Sequence, residues 1–181
     1  ISGTTFFVIG AASADPAIDP SLQDPLVAGL LWLARLVLFL GIFFGVGGAA
    51  FRILADLPPG AKNFARCATL AGLVAAPAIL GLQGLDLQGG GLAGLVQARA
   101  WELGLASPYA TTLALAATAL VLGLVTLVIS SRLAATLTAS IAIVLIGLAV
   151  SASGHASAAE PRWLTREALF THVTTIAWWA G

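Results

Sequence analysis

His155 and His172 are the only histidines in a chain of 181 residues. They stand in Ser153-Gly154-His155-Ala156 and Thr171-His172-Val173, where one apolar stretch ends and the next begins. Neutral imidazole is a ligand for zinc, copper, iron and nickel. Two ligands do not complete most resident metal sites, but a transient site on a transport path can hold an ion with fewer. Other readings stay open. Each histidine could simply anchor a helix end at a membrane interface. The two could also be axial ligands of a b-type haem.

Arg35 is the second chemically unusual residue. It falls about nine residues into the first apolar stretch, some 13–14 Å along a helix. An unpaired arginine at the centre of a bilayer costs ~2.5 kcal/mol or more. The expected relief is snorkelling outward, with Asp24, Asp86 or Glu102 as alternative partners. Gln83 and Asp86 lie at similar depth on the second apolar stretch, so Arg35, Gln83 and Asp86 form a candidate polar path.

Enzyme motifs are missing. The sequence has no His-Glu-x-x-His, no Gly-x-Ser-x-Gly and no Walker loop. Ser153 beside His155 lacks an oriented carboxylate and makes no triad. The expectation is a protein that is not an enzyme. Without Cys-x-x-Cys-His, covalent haem attachment is excluded. The single Cys67 allows no intrachain disulfide, and it reads as a small buried hydrophobe.

These residues are set in a very apolar chain. Hydrophobic residues make up 59% and charged ones 9%, against about 25% charged in soluble domains. Mean hydropathy is +1.01. A soluble domain of this length could not bury so much apolar surface, so a lipid bilayer is the expected surrounding. Net charge is zero, and there is no basic block to neutralise phosphates, which argues against nucleic acid as a partner.

The pattern predicts an all-α polytopic membrane protein with four complete transmembrane helices and the start of a fifth. Residues 1–10 read as a strand ending at Gly10, because Thr4 to Ile9 is β-branched and aromatic. Residues 11–25, with Pro16, Pro20 and Pro25 among acidic residues, read as a linker. Residues 26–181 form the transmembrane domain.

Its spans are expected at Leu26 to Phe51, Cys67 to Leu85, Thr111 to Ile129 and Leu133 to Ser151. Gly41-x-x-x-Gly45 in the first span allows close helix approach. Arg52 to Arg66 reads as a polar loop, and Pro77 as a kink in the second helix. A glycine-rich connection follows, with a short interfacial helix over Leu92 to Leu103. Trp101 and Tyr109 suit a headgroup boundary.

Thr165 is the expected cap of the fifth helix, with Glu167 in its first turn. His172 then lies about two turns in, roughly 9–10 Å along the axis. The last apolar stretch stops after about 13 residues, short of the ~20 a span needs. The chain therefore reads as an excerpt of a longer protein. Arg52, Lys62 and Arg66 follow the first span and no basic residue precedes it, so the N-terminus is expected outside. Both histidines then lie at the outer face.

Gly154-His155-Ala156 after an apolar span, and His172 followed by Trp178-Trp179-Ala180-Gly181, resemble elements of the CopD/PcoD family. Gln83 followed by Gly89-Gly90-Gly91-Leu92-Ala93 is similar to that family's second span and outer loop. Ala106-Ser107-Pro108-Tyr109 is similar to the entry of its third span. Ile1 to Gly10 resembles the last strand of the CopC periplasmic β-sandwich, so the order of elements looks like CopC–CopD fusions, including the YcnJ-type uptake proteins. The resemblance implies a bacterial inner-membrane protein of copper transport or resistance. It also implies copper ion as cargo, a CopC-like periplasmic domain or protein as partner, and His155 and His172 as metal ligands. Two other roles stay open beside it: b-haem electron transfer, or a membrane anchor without transport.

Overall fold

The computed structural model describes residues 24–152 and 161–181. The strand expected over residues 1–10 lies outside the described residues, as do His155 and the linker expected over residues 11–25 up to residue 23. Among the described residues the chain is helical throughout, with no strand.

The first span begins at α1 (Pro25–Leu40). Asp24 caps it, its carboxylate accepting from the Leu26 amide at 2.8 Å, and Pro25 occupies the first turn, where its missing N–H costs nothing. A π-helical segment (Gly41–Val46) and the short α2 (Gly47–Phe51) complete it. The second span is α3 (Pro59–Gln88), longer than the Cys67 to Leu85 expected from the sequence. Pro58-Pro59 had suggested a loop; instead Pro59 opens the helix. Lys62 and Arg66 therefore ride on α3 rather than in a connection, and Pro77 sits inside it without ending it. α3 ends at Gly89, whose φ of 65° is the left-handed conformation that glycine adopts at little cost.

A 3₁₀ turn (Leu92–Val96) and α4 (Ala98–Ala106) fill the connection to α5 (Tyr109–Val128). After a tight turn come α6 (Arg132–Ala152) and α7 (Arg162–Ala180). Among the described residues four helices are long and apolar enough to cross a membrane: Pro25–Phe51, Pro59–Gln88, Tyr109–Val128 and Arg132–Ala152. The chain thus has the build of a multi-pass membrane protein. Its outward surface agrees, since Trp32 is 67% and Val74 72% exposed. In water such an apolar belt would drive aggregation; in lipid it is the favoured surface.

Neighbouring helices pack in the order α1–α3–α5–α6–α7, and the π-helical segment and α2 touch α3, α5, α6 and α7. The glycine-rich half of the first span is therefore the axis of the bundle. Ile42 and Val46 are fully buried there, with Ile79, Leu120 and Ile146 around them. The Gly41-x-x-x-Gly45 spacing serves a real close approach. A Cβ at Gly41 would lie 2.8 Å from the Gly72 Cα, and one at Gly45 2.8 Å from the Thr69 amide nitrogen.

Those neighbours are backbone and cannot swing aside. Gly45→Ala should thus destabilise by about 1–3 kcal/mol through overpacking. Gly29 on α1 has nothing within 4 Å of its hypothetical Cβ, so Gly29→Ala should be neutral or stabilising by about 0.5–1 kcal/mol. Thermal melting in detergent checks the pair; equal midpoints would overturn the packing argument.

Polar side chains inside the spans find partners locally. Thr69, Thr118 and Thr138 return their hydroxyls to carbonyls one turn back. Thr126 and Thr138 also share a 2.8 Å hydrogen bond joining α5 to α6. Cys67 is exposed on α3, which corrects its reading as a buried hydrophobe. The helical period had not shown which side of α3 meets its neighbours.

Candidate functional site

His172 sits on α7, whose apolar anchors Val173 and Ala177 turn into the bundle. The helix starts at Arg162 behind Pro161, three residues before the expected Thr165 cap. Thr165 instead returns its hydroxyl to the Pro161 carbonyl at 3.4 Å. His172 is accordingly about ten residues, or ~15 Å, into its helix rather than two turns.

The register between α6 and α7 is set at Gly147, where a Cβ would meet the Phe170 ring at 2.5 Å and the Thr174 methyl at 2.7 Å. His172 is thus level with Gly147. That is five residues, roughly 7–8 Å, below the last residue of α6. The two histidines therefore do not share a depth by helix register alone. His155 is three steps along the chain from Ala152, a reach of at most about 10 Å. Adjacency remains feasible only if that segment folds back along α7.

The sequence places His172, Thr175, Ile176 and Trp179 on one face of the helix. That face is turned away from the bundle: His172 and Thr175 are exposed, and Trp179 is 87% exposed. Beside it, a cleft of 680 Å³ opens between the end of α6 and the start of α7. Ser151, Arg166, Glu167, Phe170 and Thr171 line it. Residues 153–160 join the two helices at this end. Sequence reasoning assigned no site role to Ser151, Glu167 or Thr171, because their convergence depends on how α7 docks on α6. Among the described residues no group of three or more His, Cys, Asp or Glu side chains could hold a metal ion.

The candidate polar path resolves differently. Arg35 meets partners on two neighbouring helices. One Nη donates to the Gln83 Oε1 at 2.6 Å, and the guanidinium lies 5.4 Å from the centre of the Tyr109 ring. The side chain is half-buried, and its Nε has no hydrogen-bond partner among the described residues. The partners are an amide and a ring face rather than Asp24, Asp86 or Glu102. Tyr109 opens α5, so the cluster sits near one end of the bundle, where charge costs less than at mid-bilayer. Tyr109 was expected to mark a headgroup boundary, and its contact with Arg35 was not legible from sequence.

Asp86 is half-buried on α3 but joins no ion pair among the described residues. Among the described residues the one ion pair is Arg99–Glu102 at 3.6 Å, both side chains well exposed. Trp101 is held by a 2.9 Å bond from its indole N–H to the Leu95 carbonyl, and its ring packs on Gly81.

A smaller cavity of 190 Å³ runs from Tyr109 between α1, α5 and α6. Tyr109 and Thr112 are the polar residues along it; Leu38, Ile42, Ala149 and Val150 supply apolar wall. The structure therefore gathers Arg35, Gln83 and Tyr109 at one cluster and puts His172 on a different helix. No family model, curated protein or solved structure matches the chain.

Proposed function

We propose that this chain moves copper ions across the bacterial plasma membrane, with His155 and His172 receiving the ion at the outer face. One observation carries the reading. One histidine follows α6 in the chain and the other lies on α7, and α6 and α7 pack against each other. The resemblance of both histidine motifs to the CopD/PcoD family supports the same cargo. His172 is exposed among the described residues. Glu167 and Thr171 at the adjoining cleft offer oxygen atoms. Nitrogen ligands favour copper over magnesium or calcium, which prefer oxygen. A CopC-like periplasmic domain would deliver the ion, and neutral imidazoles would replace part of its water.

Copper accumulation in cells expressing the protein, against cells carrying the double alanine variant of His155 and His172, tests the proposal. Wild-type accumulation in the double variant would overturn it and favour a membrane anchor. An absorption spectrum of the purified protein adds a second test: a Soret band would replace copper with b-type haem.

The orientation follows from charge. The end of the bundle carrying Arg52, Lys62, Arg66 and Arg132 would face the cytoplasm, with the N-terminus periplasmic. On a Cys67→Ser background, a cysteine at Lys62 should resist an impermeant reagent in intact cells, and a cysteine at Gly90 should label. Labelling at position 62 would reverse the orientation.

A further inference from the structure

The basic end of the bundle holds a built polar cavity that the copper reading does not use. Arg52 follows α2 and folds under α5, donating to the Thr126 carbonyl and to the Ile129 carbonyl at 3.1 Å. It thereby satisfies carbonyls left open at the end of α5. Arg132 opens α6 and is exposed. Among the described residues its guanidinium makes one hydrogen bond, to the Ile53 carbonyl, long at 3.5 Å. Between these arginines lies a cavity of 360 Å³, lined also by Asp56 and Ser130. At roughly 30 Å³ per water it has room for about twelve waters.

Charge and position point to one kind of occupant. Two guanidiniums against one carboxylate leave the cavity with a single net positive charge, the complement of one phosphodiester. Arginine forks match phosphate oxygens bidentately. The first turn of α6 opens at the same place and favours an anion. On the lipid side, Leu54 is 58% and Leu133 71% exposed, and Leu137 continues the apolar face one turn along α6. A ligand with a phosphate in the cavity and hydrocarbon along Leu133 and Leu137 would meet both surfaces. Basic pockets between membrane helices bind anionic headgroups by this chemistry.

We propose that the cavity bounded by Arg52, Asp56, Ser130 and Arg132 binds the phosphate of an anionic phospholipid. The proposal does not depend on copper transport or on the histidines.

Native mass spectrometry of the full chain, released from micelles supplemented with phosphatidylglycerol or phosphatidylcholine, reads the preference. Phosphatidylglycerol should be retained over phosphatidylcholine. Arg132→Gln should weaken that retention about fivefold, the effect of one basic residue at a charged membrane surface. Its melting temperature should stay near wild type, because Arg132 is exposed and makes only one long bond. Arg132→Lys should restore part of the affinity, and Asp56→Asn should strengthen it. Equal retention of the two lipids, or no change in Arg132→Gln, would overturn the proposal. Displacement of phosphatidylglycerol by millimolar inorganic phosphate would assign the cavity to a soluble phosphate and overturn the lipid as its source.

Discussion

Alanine at either His155 or His172 should remove most copper-dependent accumulation, and the double replacement should cost little more. Two ligands of one ion act as a unit, so losing one leaves the other with little to contribute. The non-additivity is the informative part. Independent roles would give losses that multiply, and that result would refute a shared site while leaving a copper role intact. The geometry makes this a demanding test. His172 is level with Gly147, below the end of α6, so a shared site requires the segment carrying His155 to descend along α7. Leucine at Trp179, on the same exposed face of α7, should have a much smaller effect, because indole is no ligand for the ion. Binding should also weaken in acid, since protons compete with the ion for the imidazole lone pairs. Copper accumulation at matched protein levels, repeated across pH, checks all of these.

The spans were legible because hydrocarbon imposes one rule on every residue between its two faces. The positions of the first span, α5 and α6 follow the apolar stretches to within a few residues. Helix ends were less legible where the helix outruns the hydrocarbon. Pro58-Pro59 suits a helix start as well as a loop, so Lys62 and Arg66 went to the wrong element. At α7 the same happened with Pro161, and the histidine's depth shifted with it.

Facing was the harder problem. The 3.6-residue period correctly groups His172 with Thr175 and Trp179 on α7, but only contacts with α6 and α2 decide that this group turns outward. Cys67 failed for the same reason. Arg35 shows the limit most clearly. Its depth and its cost were readable from the sequence. Its partners, Gln83 on α3 and Tyr109 on α5, depend on which helices adjoin α1.

The Arg35 cluster carries the second large expected effect, and it is asymmetric. Gln83→Leu should destabilise the fold by about 1.5–3 kcal/mol, because it removes a hydrogen bond to a charged group and strands the guanidinium. Arg35→Leu should cost about 1 kcal/mol or less. It strands only a neutral amide and gives up a contact with Tyr109 worth ~0.5–1 kcal/mol. In exchange it removes a charge whose Nε lacks a partner among the described residues. The double variant, apolar at both positions, should return close to wild type, since replacing both members of a buried polar pair is often neutral. Thermal melting of the three variants in detergent gives the coupling energy. An Arg35→Leu loss larger than that of Gln83→Leu would sink the argument, as would simple additivity. The same charge bears on transport. A monovalent cation passing 4 Å from a fixed guanidinium meets ~4 kcal/mol of repulsion at an effective dielectric of 20. Copper should therefore avoid the Arg35 cluster, and a structural role is expected of Arg35. Accumulation by Arg35→Leu should match wild type once corrected for the amount of folded protein. A loss of transport beyond that correction would put Arg35 back on the path.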